Sequence, residues 1–304
     1  RVPDGTDTLS TLTPTPGSSN DRAHLSVVAD TKFSHDRGFY DAPIELVIST
    51  ETDDVLIKYT LDGSTPSADH GQVYDGPIPI AKTTCVRAMA YRLGWKSTNV
   101  DTHTYFFLDD IIQQATHPSS GAQVTPAGYP TSWGSGATGD YQVDPEVVGQ
   151  NGKDDFGGEY ARSIKDDLLS VPTISLVMDP ADWFGSRGIY INKSQDGTER
   201  VCSFEYLDPN SGDQIQLNSA MAMQGGVSGG GTSLNRWKSY KLSMRPRFKV
   251  QIDNGTPTGG PSKGRFKFFA DSAVERHNSI VLDAVLNHSW LHPSSGQRNT
   301  ARYV

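Results

Sequence analysis

Cysteine is nearly absent. The chain has two, Cys85 and Cys202, among 304 residues. Neither sits in a C-x-x-C pair, which argues against a structural zinc site. They fall in different predicted domains, so the expectation is two separate buried thiols rather than a bridge. Basic charge is also in deficit, with 27 Lys and Arg against 35 Asp and Glu, a formal balance of −8. That excludes binding to nucleic acid or an anionic membrane through bulk charge. No apolar run approaches the roughly 20 residues that span a bilayer. H-E-x-x-H is missing, and the glycine-rich stretch Met223–Phe248 fits neither G-x-x-x-x-G-K-[ST] nor G-x-G-x-x-G. What is abundant is punctuation. With 30 Gly, 18 Pro and only 35% apolar residues, the composition fits β-rich domains with long connections. The chain opens on Arg1 rather than Met and reads as an internal fragment or a processed product.

A length of 304 residues suggests about two domains. Residues 1–22 are rich in Pro, Thr, Ser and Gly without a hydrophobic period, as in a linker or an edge-strand tail. Residues 23–108 read as strands. Ile44–Ile48, Leu56–Thr60, Cys85–Tyr91 and Thr102–Phe107 are the strand segments, separated by turn signals at Asp62-Gly63, Asp75-Gly76-Pro77 and Leu93-Gly94. Short strands at this spacing indicate a β-sandwich. The run Tyr59-Thr60-Leu61-Asp62-Gly63-Ser64-Thr65-Pro66 reads as a hairpin, with Asp62-Gly63 as its turn and Pro66 blocking further pairing.

Residues 109–170 form a connector, with a helical start at Asp109–Gln114, a Gly/Ser/Pro/Thr stretch and a helical period over Tyr160–Leu169. Tyr129 and Trp133 in that stretch are either a sugar-stacking platform or aromatics that pin the loop. Residues 171–304 form the second domain. Pro172–Met178 reads as a buried strand, and a short helix follows with Asp179 as N-cap and Pro180 at its first position. Gly188–Asn192, Arg265–Phe269 and Ser279–Val285 read as further strands. Val201–Leu207 and Ile215–Met223 are the arms of a hairpin whose turn, Asp208–Asp213, lacks the ligand spacing of a calcium loop. Asn254–Gly264 reads as a loop.

The stretch Met223–Phe248 carries the chemistry. Two glycine clusters are followed by Arg236, Lys238, Lys241, Arg245 and Arg247. Glycine allows close backbone approach, and basic side chains bind phosphate or carboxylate oxygens. As composition, the stretch is open between a phosphate-handling loop and a glycine turn before a strand with a solvated basic face.

Three resemblances bear on these readings. Tyr59–Pro66, with Tyr74–Ile80 and Thr83–Ala88, resembles the chitobiase/β-hexosaminidase C-terminal-type domain, a fibronectin-III-like sandwich. That implies a non-catalytic accessory module. Thr13–Asn20 resembles the exit of a lamin-tail-type domain. Residues 171–304 resemble the amino-terminal part of CotH-type (spore coat protein H) kinases, through the ordered series Pro172–Trp183, Cys202–Glu205, Met221–Gly226, Arg236–Leu242, Ser279–Leu282 and Asn287–Trp290. Trp237 and Gly229 stand where many members have basic residues.

These resemblances imply a β-rich multidomain chain, in which a fibronectin-III-like β-sandwich precedes an incomplete α+β kinase-like lobe. Gly225, Gly226, Ser228, Lys238 and Lys241 would line an ATP phosphate site. The parent would use ATP and Mg²⁺, with its metal-binding acidic residues beyond Val304, so these 304 residues would be inactive as a kinase alone. The implied location is extracellular or the cell surface of a bacterium, and the implied partner is a protein substrate or surface polysaccharide. The alternative function is a non-catalytic surface or matrix protein that contacts glycan.

Overall fold

The computed structural model describes residues 26–114, 132–134, 137–138, 141, 143, 145–149, 156–189, 198–224, 243–253, 256–260, 263–269 and 272–282. The chain divides into two compact units, Arg1–Ile111 and Ile112–Val304.

The described part of the first unit is almost all strand. In chain order it contains β1 (Lys32–Phe33), β2 (Gly38–Phe39), β3 (Ile44–Leu46), β4 (Ile48–Ser49) and β5 (Leu56–Thr60). β6 (Gln72–Val73), β7 (Ile78–Ile80), β8 (Thr84–Tyr91), β9 (Asp101–Phe106) and the one-turn helix α1 (Leu108–Ile111) follow. Five strands form a sheet in the order β2-β9-β8-β5-β6, antiparallel except for β2 beside β9. β3 pairs with β7, and β1 with β4. Leu46, Ile78 and Ile80 from the β3–β7 pair meet Val86, Ala88 and Tyr105 from the large sheet in one buried cluster. Two sheets closing on one apolar layer is an arrangement consistent with a β-sandwich. The alternation in Ile44-Glu45-Leu46-Val47-Ile48 is real: Leu46 and Ile48 are buried, while Glu45 and Val47 face water. The ladder changes partner at Val47, so the expected single strand is two.

The hairpin expected at Asp62-Gly63 is wider than the sequence suggests. β5 does turn back, but its partner β6 begins only at Gln72, beyond a loop over residues 61–71. Gly71 ends that loop with φ +100°, and a Cβ there would stand 2.8 Å from the Tyr59 carbonyl oxygen.

In the second unit, β10 (Ser132–Gly134) and β11 (Ala137–Thr138) pair within the expected connector, and α2 (Pro145–Val148) follows. α3 (Glu159–Leu169) is the helix expected there. β12 (Thr173–Val177) then leads into α4 (Pro180–Phe184). The Asp179 carboxylate accepts the Ala181 N–H at 2.9 Å, and Pro180 opens the helix, as read from the sequence. β13 (Arg200–Leu207), β14 (Gln214–Met223) and β15 (Met244–Arg247) complete an antiparallel sheet in the order β12-β13-β14-β15. Cys202, Phe204 and Tyr206 point to one face of β13. Cys202 joins Met178, Trp183, Ile189 and Met221, while Phe204 and Tyr206 pack with Phe248. Phe204 lies edge-on to Phe248 with centroids 5.1 Å apart, and edge-on to Phe268 at 5.9 Å.

Several expected strands differ. Pro172–Met178 is not a fully buried strand: β12 is the sheet edge, and Ile174 is 37% exposed. Gly188 and Ile189 form no ladder, although Ile189 is buried, and residues 190–192 lie outside the described set. Asn254–Gly264 is not simply loop, because β16 (Val250–Asp253) pairs with β17 (Thr256–Gly259). Arg265–Phe269 contributes only β18 (Gly264–Arg265), which pairs with β19 (Arg276–His277). Phe266 and Phe268 still pack inward while Phe269 is exposed, so the alternation survives without the ladder. Ser279 and Leu282 make isolated bridges to β15.

Candidate functional site

The residues read as a phosphate site, Gly225, Gly226, Ser228, Lys238 and Lys241, lie outside the described residues. The frame on either side of them is described. β14 ends at Met223 and β15 begins at Met244, and the two strands pair antiparallel with Met223 opposite Met244. The Gln224 N–H donates to the Ser243 carbonyl at 2.9 Å and closes the base of the connection. The glycine- and lysine-bearing stretch therefore connects two neighbouring, hydrogen-bonded strands of one sheet.

The basic run does not continue as a solvated face. Arg247 grips Glu199 with two donors, Nε to Oε1 at 2.8 Å and Nη2 to Oε2, and its Nη1 donates to the Lys249 carbonyl at 2.7 Å. The hydrogen bonds to Glu199 raise the Arg247 pKa above its ordinary value against the opposing effect of burial. Its charge is committed to holding β15 against the start of β13. Arg200, next to Glu199, spans the same region. Its Nε is 3.4 Å from Asp182 Oδ1, Nη1 donates to the Glu199 carbonyl at 2.9 Å, and Nη2 donates to the Arg187 carbonyl. Burial raises the Asp182 pKa, opposed by Arg200 and reinforced by Asp179. This part of the basic chemistry is architectural.

In the first unit, the signature Tyr59–Pro66 builds a polar knot. The Thr60 hydroxyl donates to the Ser64 carbonyl at 2.6 Å. The Asp62 carboxylate accepts both the Ser64 N–H at 2.9 Å and the Ser64 hydroxyl at 2.5 Å, closing an Asx turn. His70 Nε2 stands 2.9 Å from Ser64 Oγ. That hydroxyl has one proton and gives it to Asp62, so His70 Nε2 is the donor here. Burial works against the Asp62 charge, but its Ser64 bonds and His70 outweigh that, leaving the carboxyl below its ordinary range. From β8, Arg87 Nη1 donates to the Gly63 carbonyl and to Thr65 Oγ1, each at 2.9 Å, and Arg87 is only 4% exposed. Asp62, Ser64 and His70 look like hydrolase chemistry when named together. Ser64 is buried and sits between the other two, so the knot fixes a loop and presents no nucleophile.

A second polar cluster lies on β9. The Thr31 hydroxyl donates to Asp101 Oδ2, and Asn99 Nδ2 donates to Oδ1 at 3.1 Å. Burial pushes the Asp101 carboxyl up to about 6, with Asp30 adding and Thr31 and Arg37 opposing. His103 stacks on Phe33 with centroids 4.2 Å apart and planes 5° from parallel. Burial and the Arg37 charge push it down to about 3. Arg37 itself donates to the Thr102 carbonyl at 3.1 Å.

Sequence reading missed Arg87, Asp101, His103 and Glu199. Arg87 had a signal: a single charge inside the apolar run Val86 to Ala90 must be paired or out of register. Glu199 had none, because its partner lies 48 positions away. Neither cysteine forms a disulfide; Cys202 is buried, as expected, but Cys85 is only half-buried. The Asp208–Asp213 turn is closed by its own backbone, with the Asp208 N–H donating to the Asp213 carbonyl and the Gly212 N–H to the Asp208 carbonyl, both at 2.8 Å. Among the described residues no group of three or more His, Cys, Asp or Glu could hold a metal, and no helix is long and apolar enough to cross a membrane. Tyr129 lies outside the described residues.

Residues 35–102 match the sequence profile of the Chitobiase/beta-hexosaminidase C-terminal domain. The match takes in the polar knot, β8 and the Asp101 end of β9. It does not reach residues 1–22 or 171–304, so the lamin-tail-type and CotH-type resemblances gain no support from it. No curated protein and no solved structure matches the chain.

Proposed function

We propose that the first unit is a non-catalytic accessory module of a bacterial, carbohydrate-associated surface or extracellular protein. The observation that carries this reading is the match of residues 35–102 to the Chitobiase/beta-hexosaminidase C-terminal domain. The polar knot supports the accessory role, because its Asp, Ser and His atoms are consumed in one another. The test is co-sedimentation of the full chain with insoluble chitin, cellulose and peptidoglycan. Retention on at least one, released by soluble oligosaccharide, is the expected result. Absence of retention on all three removes glycan contact as the role of this chain.

A second reading concerns the second unit, as the phosphate-facing part of a CotH-type kinase lobe. It is favoured by one feature, the placement of the glycine- and lysine-rich stretch between the hydrogen-bonded strands β14 and β15. In this reading Gly225, Gly226 and Ser228 approach the phosphates of ATP, while Lys238 and Lys241 neutralise them. Mg²⁺ would supply the remaining charge neutralisation for phosphoryl transfer. Calorimetric titration with ATP checks it. Lys238→Ala and Lys241→Ala are each expected to weaken binding by about tenfold. Unchanged affinity in both variants ends the assignment.

A further inference from the structure

Arg245 and Arg247 are two residues apart on β15 and leave the same face of the sheet. Their surroundings differ. Arg247 is held by Glu199 and the Lys249 carbonyl. Arg245 is half-buried, its Nε is sealed from solvent without a hydrogen-bond partner, and no side-chain partner for it occurs among the described residues. The register explains this. Ala222 lies directly opposite Arg245 on β14. On the other side, the bridges Met244↔Leu282 and Arg247↔Ser279 share one antiparallel register, which sets Val281 opposite Arg245. Neither of these side chains can accept a hydrogen bond. A guanidinium keeps its charge at any ordinary pH, so holding it partly out of water without an acceptor is costly. Its donors form a planar fork suited to two oxygens of one anion. Arg245 also stands at the base of the β14–β15 connection, two residues after Ser243, whose carbonyl closes that base.

We infer that Arg245 is an anion-binding residue, donating from its guanidinium to the oxygens of a phosphate group. The sequence stretch does not single it out, since Arg245 and Arg247 are equivalent there; only the pairing of Arg247 with Glu199 and the apolar neighbours of Arg245 separate them. The choice of phosphate rests on the phosphate reading of the β14–β15 connection. The phosphate belongs to a nucleotide or is free, and the two sources are separated by experiment.

The test is thermal unfolding of the full chain with and without inorganic phosphate and, separately, ATP. It compares the parent with Arg245→Met, Arg245→Lys and the exposed-arginine control Arg265→Gln. Either anion is expected to raise the midpoint of the parent and of the control. Arg245→Met is expected to keep or exceed the parent midpoint without anion, because it removes an unpaired, half-buried charge, and to lose the gain on adding anion. Arg245→Lys is expected to recover part of that gain, and the anion affinity of Arg245→Met should fall about tenfold or more. A gain from ATP alone identifies a nucleotide, while an equal gain from inorganic phosphate identifies the free anion and ends the nucleotide reading with Arg245 intact. Sensitivity to Lys238→Ala and Lys241→Ala but not to Arg245→Met overturns the inference and leaves the phosphate loop standing. No gain from either anion in the parent overturns both.

Discussion

Asp101 and His103 sit two positions apart on one face of β9, and the same burial moves their titrations in opposite directions and past each other. The folded state holds Asp101 protonated up to about pH 6 and His103 neutral down to about pH 3. In the unfolded chain Asp titrates near 3.9 and His near 6.5, on the order of model-peptide values. The stability contributed by Asp101 is therefore present below about pH 4 and lost as pH rises through about 6. That of His103 is present above about pH 6.5 and lost as pH falls toward about 3. Between about pH 4 and 6 each state holds one proton on the pair, on Asp101 when folded and on His103 when unfolded, so the pH dependences cancel. Single variants should expose them. Urea unfolding of Asp101→Asn across this window is expected to show stability rising with pH, and that of His103→Phe to show it falling. Each slope is at most about 1.4 kcal/mol per pH unit, reduced by solvent screening. Flat profiles in both variants would dismiss the coupling. Nothing in the local sequence announces this pair, because its shifts come from burial, to which the stacked Phe33 contributes, and for His103 also from Arg37, all of which reach it only through tertiary packing.

At the scale of elements, the strands and the short helix are where local pattern and structure agree. β5 begins and ends where its alternation does, and the Asp179 cap and Pro180 start place α4 without tertiary help. Asp179→Ala should cost about 1 kcal/mol in chemical unfolding, the usual loss for an N-cap; no loss would mean the turn at Gly185 alone sets the helix. β13 carries more. Phe204 is fully buried among Phe248, Phe268 and Leu176, so Phe204→Ala should cost about 3–5 kcal/mol. A cost within about 0.5 kcal/mol, the range of surface changes, would mean this aromatic layer is not the core of the sheet. Arg87→Met tests the polar knot. It leaves the Gly63 carbonyl and Thr65 hydroxyl without their donor, at about 1–3 kcal/mol. Its readout is faster amide exchange across residues 61–71. Element boundaries were misread where pairing, not pattern, decides. Phe266 and Phe268 alternate like a strand, yet β18 stops at Arg265, and past it the pairing thins to the Phe266 N–H, which donates to the Glu275 carbonyl at 3.0 Å.

At the scale of the whole molecule, the two thiols offer a direct check. Cys202 is fully buried in the second unit and Cys85 is half-buried in the first. Thiol titration under native, non-reducing conditions should label Cys85 first, and denaturant should release both. A count of zero in denaturant would reveal a bridge and refute the separate-thiol reading. Composition determined that this chain is β-rich and loop-rich and that its charge is wrong for bulk binding to polyanions, and the ordered run Tyr59–Pro66 carried a family resemblance to a sandwich module. Those properties live in short-range pattern, in turn chemistry and in summed charge, all of which a linear sequence preserves. Only the tertiary structure decided which polar groups are spent. Arg247 closes on Glu199, Asp62 and His70 close on Ser64, and Arg245 is left between Ala222 and Val281. The physical reason is that a side chain's availability depends on what strand pairing brings within about 3 Å of it, and pairing joins residues far apart in the chain.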